Sequence, residues 1–157
     1  MLIIFDLDDT LIDTSGSIIP FKLKLCLQRL EKMGLDMPEP EIAYKELLEL
    51  NARCLRSLDA LKEFITKRGG DPDWISELKE DLFSPLPEDF FIPTTPYAKE
   101  ILKELSSQHE LALVTVGYPP FQREKLKKAG IEPGLFGNIL IPGGCIKRSS
   151  YAALRRQ

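Results

Sequence analysis

The chain has 157 residues, 43% hydrophobic and 29% charged, which is the composition of an ordinary soluble globular protein with room for one core domain and an insert. Its net charge of −3 and its lack of a basic cluster exclude nucleic acid and an anionic membrane surface as main partners. Cys26, Cys54 and Cys145 are odd in number and lack metal-finger spacing, so they are expected to be reduced thiols of a cytoplasmic protein.

The first predicted element is the run Leu2-Ile3-Ile4-Phe5, short and rich in β-branched and aromatic residues, which reads as a buried strand. Asp6 cuts the run off, so it is neither a signal peptide nor a membrane span. The strand delivers two carboxylates, Asp6 and Asp8, to its carboxyl end, where ligands bind in open α/β sheets. Two acids one residue apart repel, and the chain gains from the pairing only if a cation or a reacting group sits between them. The plainer alternative makes Asp8 and Asp9 turn or N-cap residues that end the strand.

About eighty helical residues follow. Leu23, Cys26, Leu27, Leu30 and Met33 recur at helical spacing between Pro20 and the stop at Gly34. After the break at Pro38-Glu39-Pro40, an apolar stripe of Ile42, Leu47, Leu50, Cys54, Leu58, Leu61 and Ile65 predicts helix over 41–68. That tract is one helix or two, with Asn51 or Ser57-Leu58-Asp59 as candidate breaks. Asp71-Pro72 opens another helix with Ile75, Leu78, Leu82 and Phe83 facing inward, and Pro85, Pro87 and Pro93 stop it.

Alternation of helix and strand then resumes. Thr95-Pro96 reads as a cap and first-turn proline before a helix that buries Ala98, Ile101, Leu102 and Leu105. A second strand is predicted over 111–116, ended by Gly117. Pro119-Pro120 opens a helix that turns Phe121 and Leu126 inward and stops at Gly130. A third strand is expected over 138–141, and a last helix after Lys147. Strand, helical insert, then helix–strand–helix–strand predicts a parallel α/β core interrupted by helices.

The stretch Phe5-Asp6-Leu7-Asp8-Asp9-Thr10-Leu11 resembles the first motif of the haloacid dehalogenase (HAD) superfamily of phosphohydrolases. The apolar run ending in Thr115 is similar to its second motif, with a hydroxyl to donate to phosphate and Gly117 to let the backbone approach closely. Lys147, in Cys145-Ile146-Lys147-Arg148-Ser149-Ser150-Tyr151, resembles the lysine of the third, although Arg148 stands where proline often follows. Lys125 is its rival, with a solvated lysine as the plainer reading. No strand ending in acids, the fourth motif, follows Tyr151.

The resemblance implies a Rossmann-like parallel core over 1–14 and 88–157, ending one strand–loop unit early, with an all-helical cap over 15–87. It implies hydrolysis of a small phosphate monoester, with Asp6 as nucleophile and Asp8 as acid and base. Thr115, Gly117 and Lys147 would bind phosphate, and Mg²⁺ would be held by the Asp6 carboxylate and the Asp8 main-chain carbonyl. The second acid favours phosphate esters over carbon–halogen bonds, because a departing halide needs no proton. Two alternatives stay open: an incomplete, non-catalytic member without the fourth acid, and a phospho-acceptor signalling domain. A chain of this form is expected to be a shortened one, with an exposed sheet edge open to self-association and with weak metal binding. His109, Trp74, Arg53 and Arg56 read as surface or packing residues, and Asp13 and Ser15 as a hinge.

Overall fold

The computed structural model describes residues 1–142; Cys145, Lys147 and the predicted last helix lie outside the described residues. In chain order the elements are β1 (Leu2–Phe5), α1 (Ile19–Lys32), α2 (Pro40–Arg53), α3 (Ser57–Lys67), α4 (Ile75–Phe83), α5 (Ala98–Ser106), β2 (Glu110–Val114), α6 (Pro119–Lys128) and β3 (Asn138–Leu140). They divide into two compact units: Met1–Ser17 with the chain from Pro85 onward, and Ile18–Ser84.

The first unit is a parallel sheet in the order β1-β2-β3, with Phe5 beside Leu113 and Val114 beside Leu140. Strand β2 lies between the other two, and Leu111, Ala112, Leu113 and Val114 are buried. Strand β1, expected to be fully buried, is half-buried along its length. Among the described residues only β2 pairs with it. The second strand is also shorter than predicted: it ends at Val114, and Gly117 with φ of 153° lies in the turn that follows. Parallel neighbours need a crossover, which α6 supplies between β2 and β3.

Two local expectations fail in this unit. Thr95 does not cap α5; its Oγ1 donates to the Thr10 carbonyl (2.7 Å), and the residue before the helix is Tyr97, in the left-handed region at φ 63°. Ile101 is 45% exposed, because this short helix buries only the narrow line of Ala98 and Leu102.

The second unit is all helical, with Leu23, Cys26, Leu30, Leu47, Leu61 and Phe64 in its core. The tract over 41–68 is two helices, since Cys54 and Arg56 adopt extended backbone between α2 and α3. Phe83, expected inside, is 48% exposed at the last position of α4, beyond the line of Leu78 and Leu82. Helical periodicity did not reveal Lys22, whose side chain is buried on α1 among apolar neighbours. Its ammonium donates to the Ser84 carbonyl (2.5 Å), the Ser84 hydroxyl (2.7 Å) and the Asp81 carbonyl (3.2 Å). A cation there satisfies carbonyls that the end of α4 leaves without helical partners. Arg29 grips the Asp81 carboxylate two turns further along α1, at 2.5 and 3.0 Å. Among the described residues no helix is long and apolar enough to cross a membrane.

Lys22→Met keeps the apolar stem and deletes the ammonium. It is expected to destabilise the chain by about 1–3 kcal/mol, the cost of buried acceptors left unmade. Urea denaturation measures this, and an unchanged midpoint would show that Lys22 does not hold the end of α4.

Candidate active site

Strand β1 stops at Phe5, and the chain turns tightly around the Leu7 carbonyl, which accepts from the amides of Thr10, Leu11 and Ile12. Asp6 Oδ1 accepts from the Leu7 amide at 2.9 Å. Asp9 is the turn residue: its φ is 54°, its amide donates to the Ile12 carbonyl, and its carboxylate receives the amide and hydroxyl of Ser15 at 2.8 and 2.6 Å. Aspartate tolerates that left-handed backbone better than most residues. The turn reading therefore holds for Asp9 and fails for Asp8.

The Asp8 side chain reaches across to α6. Its Oδ1 accepts from the Lys125 ammonium (2.7 Å) and the Thr14 hydroxyl (2.5 Å), and its Oδ2 accepts from the Gln122 amide (2.9 Å). Burial alone pushes this carboxyl up, but the charge of Lys125, with hydrogen bonds from Lys125, Thr14 and Gln122, outweighs it and holds Asp8 below its ordinary value. Asp8 is thus ionised and clamped from three directions.

Lys125 corrects the reading of a solvated lysine: its side chain is only 8% exposed and its ammonium faces Asp8. The ammonium also lies 5.1 Å from the centroid of the Phe121 ring. Gln122 went unnoticed in the sequence. It is 2% exposed, and its Nε2 lies 2.7 Å from Thr115 Oγ1 and 3.0 Å from the Val116 carbonyl as well as beside Asp8. The signal was there: residues 122, 125, 126 and 129 share one helical face, and polar side chains at two of those positions sit with buried Leu126 and Ala129. Helix α6 is fixed elsewhere by Glu124, which accepts from the Leu86 amide (3.0 Å), and by Lys128, which donates to the Pro87 carbonyl (2.6 Å).

Thr115 is buried just past β2, its amide bonded to the Leu140 carbonyl at 3.1 Å. A Cβ on Gly117 would come within 3.1 Å of the Gln122 amide, so this glycine gives that side chain its space. Asp6, Asp8, Thr115 and Gly117 therefore all lie past the carboxyl ends of adjacent strands. Lys147 lies outside the described residues. His109 lies at the other end of β2, in the turn after α5. Trp74 packs on the core of the helical unit, and Arg53 and Arg56 pair with Glu49 and Asp59 on its surface. Asp13 accepts from the Gly16 amide at 2.7 Å.

The Asp6 carboxylate and the main-chain carbonyls of this turn are oxygen donors of the kind a hard cation takes. The Asp8 carboxylate is taken up by Lys125, Thr14 and Gln122. Among the described residues no group of three or more His, Cys, Asp or Glu side chains gathers to hold a metal.

A family model of haloacid dehalogenase-like hydrolases matches residues 3–140. Solved structures share the fold. A haloacid dehalogenase-like family protein of Streptococcus pneumoniae superposes with a TM-score of 0.63 at 19% identity, over 99% of this chain and 69% of that one. A Bacillus subtilis protein assigned as a HAD-hydrolase, bound to magnesium, gives 0.57 at 17% identity, over 89% of this chain and 62% of that one. A Thermotoga maritima protein assigned as a beta-phosphoglucomutase gives 0.55 at 20% identity, over 89% and 60%. The chain thus spans less than two thirds of the length of the last two. No curated protein matches it.

Lys125→Met tests the clamp. A carboxyl depressed by folding stabilises fully above its ordinary pKa of about 4, and that stabilisation is lost as pH falls through the lower folded value. The variant is expected to be less stable at pH 7 by about 1–3 kcal/mol and to lose less on further acidification. Parallel stability–pH curves for parent and variant would show that the pair contributes nothing.

Proposed function

Because this chain belongs to the haloacid dehalogenase-like hydrolases, we propose that it hydrolyses a small phosphate monoester through an aspartyl-phosphate formed on Asp6, with Mg²⁺ as cofactor, in the cytoplasm. The observation that supports this is the Asp8 carboxylate, two residues beyond Asp6 and held by Lys125 and Gln122 beside Thr115. An alkoxide leaving group needs a proton and a halide does not, so an acid placed to protonate the leaving group favours phosphate ester chemistry.

In the first step an Asp6 oxygen attacks phosphorus, the ester P–O bond breaks, and the leaving oxygen takes a proton from Asp8. In the second a water attacks phosphorus, gives a proton to Asp8, and releases phosphate and the Asp6 carboxylate. The clamped, ionised Asp8 suits the second step as it stands. The first needs a protonated carboxyl. An arriving phosphate offers the Lys125 ammonium a second anion, and as that cation turns toward it the proton affinity of Asp8 rises in the required direction. Thr115, the backbone at Gly117 and Lys147 are the proposed phosphate-binding groups. Mg²⁺, held by the Asp6 carboxylate and the Asp8 carbonyl, would supply charge neutralisation at the phosphoryl oxygens.

Asp6→Asn should lower turnover of 4-nitrophenyl phosphate at least about 1,000-fold while leaving the circular dichroism spectrum unchanged. A rate equal to the parent's would remove Asp6 as nucleophile. Asp8→Asn separates the steps. An aryl phosphate has a leaving group that needs no proton, so this variant should release a burst of 4-nitrophenol and then stall, whereas an alkyl phosphate should give no burst. Equal steady rates on both esters would take the acid and base role from Asp8. Chelation with EDTA should stop turnover, and added Mg²⁺ should restore it.

A further inference from the structure

Gln122 is the residue of this site for which the proposed reaction has no task. Its carboxamide is buried, and its surroundings fix which way it points. The Asp8 carboxylate and the Val116 carbonyl can only accept hydrogen bonds, so the nitrogen must face them, at 2.9 and 3.0 Å. The same nitrogen lies 2.7 Å from Thr115 Oγ1. Two amide hydrogens thus serve three acceptors, and the threonine oxygen is one of them. A hydroxyl oxygen that accepts from the amide turns its own hydrogen elsewhere. Among the described residues nothing receives that hydrogen.

The arrangement has a cost. Gln122 Oε1 is buried without a hydrogen-bond partner among the described residues. An unmade acceptor of this kind is destabilising, so the side chain is poorly explained as a stability device. Gly117 lacks the Cβ that would crowd the amide, so the backbone also accommodates it.

We infer that Gln122 is a positioning residue: by donating to Thr115 it presents the threonine hydroxyl as a hydrogen-bond donor to the phosphoryl group, and it ties Asp8 to the same point. This rests on the phosphate reading above. Preorganising a donor before the substrate arrives is worth more than the same hydroxyl free to rotate, because no reorientation is needed at the moment of reaction. The effect of Gln122 must then pass through Thr115, which separates it from a general packing role.

The test is a double-mutant cycle of Thr115→Val with Gln122→Met, read by calorimetric binding of inorganic phosphate in Mg²⁺ and by KM and kcat for 4-nitrophenyl phosphate. Gln122→Met is expected to weaken phosphate binding about tenfold and to raise KM in step, and to add little once Thr115 is valine. Gln122→Glu keeps the shape, loses the donor when ionised, and should reproduce the loss, so a fold defect confined to the methionine variant does not decide the matter. Equal losses in the parent and Thr115→Val backgrounds, or no loss at all, would overturn the inference while leaving the phosphate reading intact. A parent that neither binds phosphate nor turns over the ester would overturn both.

Discussion

The ion pair between Asp8 and Lys125 is the constraint on which the rest of the site depends. It joins the turn after β1 to the helix after β2, two segments 117 residues apart in sequence, across 2.7 Å. A half-buried carboxylate gains from a compensating charge and from partners for its remaining lone pairs. Thr14 and Gln122 complete that requirement. Every group that serves Asp8 is thereby also brought to the carboxyl ends of β1 and β2, beside Asp6 and Thr115. The clamp that partners this half-buried carboxylate also assembles the chemistry.

Helix α6 is the element under most demand. Its buried line must supply apolar packing through Leu126 and Ala129 and polar contacts through Gln122 and Lys125. Its other faces hold the segment that follows Pro85, through Glu124 and Lys128. A helix tied at several points to loops and carboxylates leaves its side chains little freedom, and such rigidity is what a site built from hydrogen-bond geometry requires. In the helical unit Lys22 solves a similar problem, with a buried cation satisfying carbonyls at the end of α4.

The nature of each element could be read from local pattern because local physics decides it. The apolar run before Asp6, the 3.6-residue repeat over 41–68 and the prolines and glycines that punctuate the chain need no tertiary partner to be interpreted. Boundaries moved where long-range packing intervened. Strand β2 ends at Val114, and just beyond it the Thr115 hydroxyl meets the Gln122 amide. Thr95 turns to the Thr10 carbonyl instead of capping α5, a contact between residues 85 apart.

For the site the division is sharper. Asp6 and Asp8 could be singled out because they end an apolar strand, and Thr115 because the run before it resembles the second motif of the family; the three lie past the carboxyl ends of adjacent strands. Asp8 was singled out over Asp9 only through the family resemblance, since it takes the backbone conformation to make one a turn residue and the other a clamped carboxylate. The tasks of Lys125 and Gln122 were out of reach for a related reason, although Lys125 stood as a rival to Lys147 and the helical face they share with Leu126 and Ala129 was a signal. A lysine on a helix is solvated unless some distant anion claims it, and a glutamine gains a role only when three acceptors converge on its amide. Sequence determines which chemical groups the chain carries and which local shapes it favours. Which buried charges meet, and hence which side chains lose their water and take up a task, is decided only when β1, β2 and α6 come together.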